Sequence, residues 1–356
     1  MVSGFLSPID CDVHPAVPGM NVLMPYFDPH WREVVESRGI DGLDLALYPP
    51  DAPISCRPDW HQPGSKPGSD LGRLRSQLLD PFQTRIAIGH CLYGGPMMFS
   101  EDLGAAICRA TNSWIAREWL DHEPRFRASI VVPLQSPELA VEEIERCAAD
   151  RRFVMVLLPA GHELMLGRRS LWPIYAAAER HGLPVGIHAS SALRQAPTGT
   201  GWPSFLIEEH VSFAQTFQSQ LLSLIAEGVF TKFPALRVVL LESGFTWLPN
   251  FIWRGTKMWR AMRKEIPWVD HSPAEILRDR VRVTLQPTDA PPDPLMLTRV
   301  LEQIGSDEVL LYSTDWPHWR FDGDDPLPAG LPSGLARKLM VDNPLDTFPR
   351  LQEVTS

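Results

Sequence analysis

The feature that most constrains this chain is an alternation. Eight short runs rich in apolar and β-branched residues, at 7–13, 85–91, 127–133, 153–159, 183–189, 236–241, 281–285 and 309–313, are spread along it. Between them lie longer amphipathic stretches such as 101–120, 138–149, 171–181 and 211–227, in which apolar residues return every three or four positions. Short strands alternating with helices that each bury one face are the pattern of βα units around a parallel sheet. Eight such units predict an α/β fold of the (β/α)8 kind, a TIM barrel. The open doubly wound sheet is the competing arrangement, but it usually carries a glycine-rich phosphate turn after its first strand. Here that turn would be Asp12-Val13-His14-Pro15, which contains no glycine.

At 356 residues the chain exceeds the usual domain of ~100–200 residues, a length that barrels with insertions routinely reach. One domain over 1–356 is therefore expected. Residues 15–84 break the alternation, being rich in Pro, Gly and Asp, and read as an insertion after strand one that covers the barrel mouth or makes an oligomer contact. With 33 basic against 43 acidic residues the net charge is -10, which argues against a nucleic-acid partner because phosphate binding needs clustered Lys and Arg. No stretch reaches the ~18–20 apolar residues of a membrane span, and the N-terminus lacks a basic flank followed by a long apolar run. A soluble cytoplasmic protein with no membrane partner is the expectation. Cys11, Cys56, Cys91, Cys108 and Cys147 show no CxxC spacing, so neither a disulfide framework nor a cysteine zinc site is indicated.

In a barrel of this type the active site lies at the C-terminal strand ends, so ionisable residues there carry more meaning than elsewhere. Strand one ends in Asp12-x-His14, a period-two spacing that turns both side chains to one face. Strand five ends in Gly186-Ile187-His188, and strand eight in Ser313-Thr314-Asp315, followed by Trp316-Pro317-His318. Taken singly these have plain explanations: a capping Asp, a core imidazole, an Asp that caps a turn. Their coincidence at three strand mouths favours a divalent metal, with Asp315 able both to hold the ion and to take a proton from bound water. Trp316 and Trp319 flank Asp315 and are candidate walls of a substrate pocket, while His90 and His210 read first as structural or surface groups.

These residues resemble the amidohydrolase superfamily, in its amidohydrolase 2 branch, which is related to aminocarboxymuconate-semialdehyde decarboxylase and the hydroxybenzoate-type decarboxylases. The likeness rests on Ile9-Asp10-Cys11-Asp12-Val13-His14, on Phe233-Pro234 followed by Leu236-Arg237-Val238-Val239, on Ser313 to His318 and on Asp342-Asn343-Pro344. It implies Asp12 and His14 as ligands where the family has His-x-His or Glu-x-His, with His188 and Asp315 completing the set. Where many relatives have a His after strand six, this chain has Glu242-Ser243-Gly244. That His serves catalysis in the decarboxylases. Strand four, 153–159, holds no lysine for a carbamylated bridge, so one ion is the default and zinc the leading metal. Glu242 adds a carboxylate and His318 a further nitrogen, a set that suits manganese or iron and a second ion. A small branch of the superfamily, dinuclear non-haem oxygenases that hydroxylate aliphatic carbons, is similar in this respect. Glu242 could equally orient a ligand histidine without touching metal.

The leading expectation is a metal-dependent hydrolase or decarboxylase acting on a small carboxylated or amide-bearing molecule, with Asp315, Glu242 and His318 as catalytic groups. The alternatives are the Mn/Fe oxygenase and a catalytically silent, metal-holding subunit paired with an active paralogue. The partners expected are a small substrate and further subunits, as a homo-oligomer or a hetero-oligomer.

Overall fold

The computed structural model describes residues 6–43, 55–189, 196–318 and 325–352. Trp319 and parts of the 15–84 segment lie outside those residues. Eight parallel strands run in sequence order: β1 (Ile9–Val13), β2 (Ile86–Gly89), β3 (Phe126–Val131), β4 (Phe153–Pro159), β5 (Val185–His188), β6 (Val238–Leu241), β7 (Val281–Thr284) and β8 (Leu310–Leu311). Each neighbouring pair is hydrogen-bonded, for example His188 opposite Leu241 and Thr284 opposite Leu311, with register shifts on β1 between Asp10 and Val13 and on β3 between Ala128 and Ser129. The ring closes through backbone bonds between the first and last strands: Cys11 N–H donates to Tyr312 O at 2.9 Å, Asp315 N–H to Asp12 O at 3.0 Å and His14 N–H to Trp316 O at 2.7 Å. The architecture is the expected (β/α)8 barrel, and every strand residue is buried.

The helices form where the apolar period and the caps agree. The helix Glu101–Ile115 buries Leu103, Ile107, Ala110 and Trp114 against the barrel, and the Ser100 hydroxyl accepts the Leu103 N–H at its start. The helix Pro273–Arg280 begins in a capping box of Ser272 and Glu275. The helix after β5 starts at Leu206 rather than near 211. The cause is Glu208, whose carboxylate accepts the N–H groups of Ser204 and Phe205 at 2.8 Å each and so moves the cap upstream.

The described residues of the 15–84 segment are more ordered than its composition suggests. It contains the helix Pro29–Arg38, capped by Asp28, and a helical stretch over Leu71–Leu74 and Arg75–Leu79 that buries Leu74, Leu78 and Leu79. This second stretch is the crossover between β1 and β2. Several of its described residues reach the C-terminal strand ends: Ala16 N–H donates to Gly68 O and Arg57 N–H to Pro317 O, each at 2.9 Å. Gly68 has φ +78, and a Cβ there would sit 2.3 Å from His14 O, so no larger residue fits against that strand end. Among the described residues no helix is long and apolar enough to cross a membrane.

Candidate metal centre

Five side chains from four strand ends converge inside the barrel mouth. Asp12 and His14 come from β1, His188 from β5, Glu242 from the turn after β6 and Asp315 from the turn after β8, all at most 5% exposed. His14 Nε2 lies 3.2 Å from Asp12 Oδ1, 3.3 Å from Glu242 Oε1 and 2.9 Å from Asp315 Oδ1, and His188 Nε2 lies 3.1 Å from Glu242 Oε1. A cation bound at about 2.1 Å spaces neighbouring ligand atoms about 3.0 Å apart at octahedral angles and about 3.4 Å apart at tetrahedral ones. These four spacings lie in or close to that range, while His188 Nε2 stands 4.0 Å from Asp12 Oδ1.

The imidazoles are oriented for the role. His14 Nδ1 faces His90 O at 3.2 Å and His188 Nδ1 faces Ala189 O, so each ring is placed to donate its Nδ1 proton to a carbonyl and turn Nε2 inward. Neither Nε2 makes a hydrogen bond, and nor does Asp12 Oδ1, although all three atoms are buried. Buried polar atoms without partners are rare, and three aimed at one point suit a cation. The charge balance agrees. Burial alone would lower the proton affinity of His14, but Asp12, Asp315 and Glu242 together hold it well above its usual value. Burial would raise Asp12, yet His14, His188 and His90 bring it below the ordinary carboxylate value. The pocket draws positive charge.

Two of the carboxylates stand on strained backbone. Glu242 has φ 59° and Asp315 φ 61°, the left-handed region that bulky L-residues avoid at about 1–3 kcal/mol each. Such strain is tolerated where the surrounding structure over-determines it, here by Glu242 N–H to Thr284 Oγ1 at 3.1 Å and Asp315 N–H to Asp12 O.

His318 joins this group. Its Nδ1 is 2.7 Å from Asp315 Oδ1 and 3.7 Å from Glu242 Oε1, and its ring stacks on His14 with centroids 4.7 Å apart. Two overlapping sets result, Asp12–His14–His188 and His14–Glu242–Asp315–His318, sharing His14. His90 is close, 3.8 Å from Asp12 Oδ1, but its Nε2 already faces Cys11 O at 2.9 Å and its Nδ1 faces Ser129 Oγ at 3.1 Å. Burial pushes His90 down to about 4, keeping it neutral. His210 lies within the helix Leu206–Ala226, its Nδ1 3.0 Å from Leu206 O. Trp316 is 1% exposed and donates its indole N–H to Gln77 Oε1 at 3.1 Å. Beside His188 a small cavity is lined by Cys91, Tyr93, Val131, Leu157 and Pro159.

One neighbour of the site was not anticipated. Asp10 is fully buried, its Oδ1 accepting the N–H groups of Asp12 at 3.2 Å and Thr314 at 3.1 Å, and its Oδ2 the Thr314 hydroxyl at 2.6 Å. Burial raises its pKa to about 7 despite those bonds. Its place two residues before Asp12, on the same face of β1, was the available signal.

A barrel with acidic and histidine side chains gathered at its strand ends defines a class of metal-dependent hydrolases and lyases. The family model described as amidohydrolase matches residues 9–350, and the chain belongs to that family. The gamma-resorcylate decarboxylase of Rhodococcus jostii is 30% identical over 285 residues, covering 71% of this chain and 82% of that enzyme. In structure, 2,6-dihydroxybenzoate decarboxylase in complex with 2,6-dihydroxybenzoate superposes with a TM-score of 0.70 at 20% identity, covering 97% of this chain and 100% of that one. A dihydroxybenzoic acid decarboxylase from Polaromonas sp. with bound manganese gives 0.68 at 18% identity, covering 97% of each chain. The structural likenesses speak for the fold alone. Family membership makes the protein an enzyme of the metal-dependent hydrolase and lyase type. These relatives lend no support to the oxygenase alternative.

Proposed function

We propose that this chain is a divalent-metal-dependent lyase that removes the carboxyl group of a small hydroxylated aromatic acid, with Asp12, His14, His188 and Asp315 holding the ion. The observation that carries this reading is the convergence of buried His14 Nε2, His188 Nε2 and Asp12 Oδ1, none of them hydrogen-bonded, at the mouths of β1 and β5, with Asp12 Oδ1 and Asp315 Oδ1 3.2 and 2.9 Å from His14 Nε2. Similarity to the gamma-resorcylate decarboxylases supplies the substrate class. We assign manganese rather than zinc, because the donor set is rich in carboxylate oxygen and a structural relative binds manganese.

When bound, the ion supplies positive charge that orients and polarises the substrate's carboxylate and neighbouring hydroxyl oxygens. Decarboxylation breaks the bond between ring carbon and carboxyl carbon and leaves the electron pair on the ring, which takes up a proton as CO2 departs. His318 is the group that moves this proton. Burial works against its protonation, but the Asp315 and Glu242 carboxylates outweigh that and raise its pKa. Asp315 also fixes the ring through Nδ1, which leaves Nε2 to exchange the proton. Tyr93, Leu157 and Pro159 line the small space beside His188. The assay is CO2 release from 2-hydroxy- and 2,6-dihydroxybenzoic acids by manganese-loaded protein. No release from any such acid would overturn the reading.

Glu242 favours a second reading. It stands where the decarboxylase pattern has a catalytic His, and its Oε1 lies 3.1 Å from His188 Nε2 of the other ligand set. A pair of manganese or iron ions held by both sets would suit an oxygenase that hydroxylates an aliphatic carbon. Metal content separates the two: one equivalent supports the lyase, two the oxygenase.

A further inference from the structure

Thr284 closes β7 and is fully buried between the ends of β6 and β8. Its hydroxyl oxygen accepts the Glu242 N–H at 3.1 Å and lies 3.3 Å from Asp12 Oδ2, with Leu240 O farther away at 3.5 Å. A hydroxyl has one proton to give and lone pairs to receive. Accepting from Glu242 and donating to Asp12 uses both capacities.

We infer that Thr284 is a positioning residue that sets the presentation of two candidate ligands at once. The inference rests on the metal reading above. At Asp12 the bond engages Oδ2, so the carboxylate is turned with Oδ1 toward His14 Nε2, 3.2 Å away, and that Oδ1 makes no hydrogen bond. Asp12 is thereby offered to an ion through one oxygen. At Glu242 the bond holds the amide of a residue at φ 59°, a conformation that relaxes unless its N–H has a fixed acceptor. One side chain on β7 therefore couples β1 to β6. Asp12 and Glu242 are also the two positions at which this chain departs from the decarboxylase pattern, so the hydroxyl serves the residues peculiar to this site.

The test compares Thr284→Val, which keeps the shape and removes the hydroxyl, with Thr284→Ser, which keeps the hydroxyl. Manganese affinity is read by titration of the Mn(II) EPR signal, alongside the melting temperature of metal-free protein. Removing a group that orients metal ligands weakens binding by roughly 10–100-fold, so Thr284→Val should fall in that range and Thr284→Ser should stay close to wild type. In an Asp12→Asn background the effect of Thr284→Val should shrink, because one of its two partners has changed. If valine prevents folding, Thr284→Ala removes the same hydroxyl and gives the same readout. A lowered melting temperature with unchanged manganese affinity would make Thr284 merely structural and overturn the inference, as would a serine variant that binds no better than valine. Wild-type protein that takes up no divalent ion would overturn the metal reading and this inference with it, an outcome visible before any variant is made.

Discussion

Glu242→Gln should lower metal binding and metal-free stability together. In the set His14–Glu242–Asp315–His318 the candidate ligand atoms all lie within 4.8 Å of one another. Two carboxylates at that separation repel by about 3–4 kcal/mol at an effective dielectric of about 20, but the protonated His14, 3.3 Å from Glu242 Oε1, attracts it by about 5 kcal/mol on the same scale. Neutralising Glu242 at almost constant shape therefore destabilises the metal-free barrel, by about 1–2 kcal/mol, or a few degrees of melting temperature. The same change removes a charged oxygen 3.1 Å from His188 Nε2 and 3.3 Å from His14 Nε2. If Glu242 binds the ion, manganese affinity falls by more than about 100-fold or a second equivalent is lost. If it only orients a histidine, the loss stays within roughly 10–100-fold at constant stoichiometry. Differential scanning calorimetry on metal-free protein and elemental analysis on loaded protein read the two arms. A variant whose metal-free form melts no lower than wild type, with unchanged metal content, would refute the electrostatic reasoning.

Two further outcomes follow from other contacts. Asp12→Ala or His188→Ala should strip most of the metal yet leave the barrel's circular dichroism unchanged, since strand-end ligands sit above a core that packs without them; full metal retention by either variant would remove that residue from the ligand set. Glu123 is buried and accepts hydrogen bonds from Arg75 Nε at 2.7 Å and Arg125 Nε at 2.9 Å. Burial alone would raise it, but these bonds hold its pKa at about 2, below the ordinary glutamate value of 4.5. The folded value is depressed, so its stabilisation, at most about 3 kcal/mol, is fully present above the unfolded value and is lost as pH falls toward 2. Glu123→Gln should lower stability at neutral pH and flatten the acid limb of the unfolding curve, and an unchanged limb would count against this clamp.

Much of this architecture was legible in the chain. Strand β4 matches its apolar run at both ends, and the helix from Glu101 runs on through a π-helical turn to Leu120, the end its periodicity predicts. Such elements are governed by local period and caps, which neighbouring residues carry. The helix after β5 was misplaced by several residues because its cap depends on Glu208 reaching back, a contact that composition does not advertise. For Trp319 the comparison is not open, as it lies outside the described residues.

The candidate site divides in the same way. That Asp12, His14, His188 and Asp315 stand at strand ends follows from the order of residues alone, because a parallel barrel sends every such end to one face. Which atoms meet was decided only by closure of the ring. Asp10 grips Thr314 across 304 residues of chain, and Thr284 reaches Asp12 across 272. No spacing in a linear sequence encodes those meetings. They depend on strand tilt, register and the left-handed turns at Glu242 and Asp315, which exist together only once eight strands have been drawn into a single barrel.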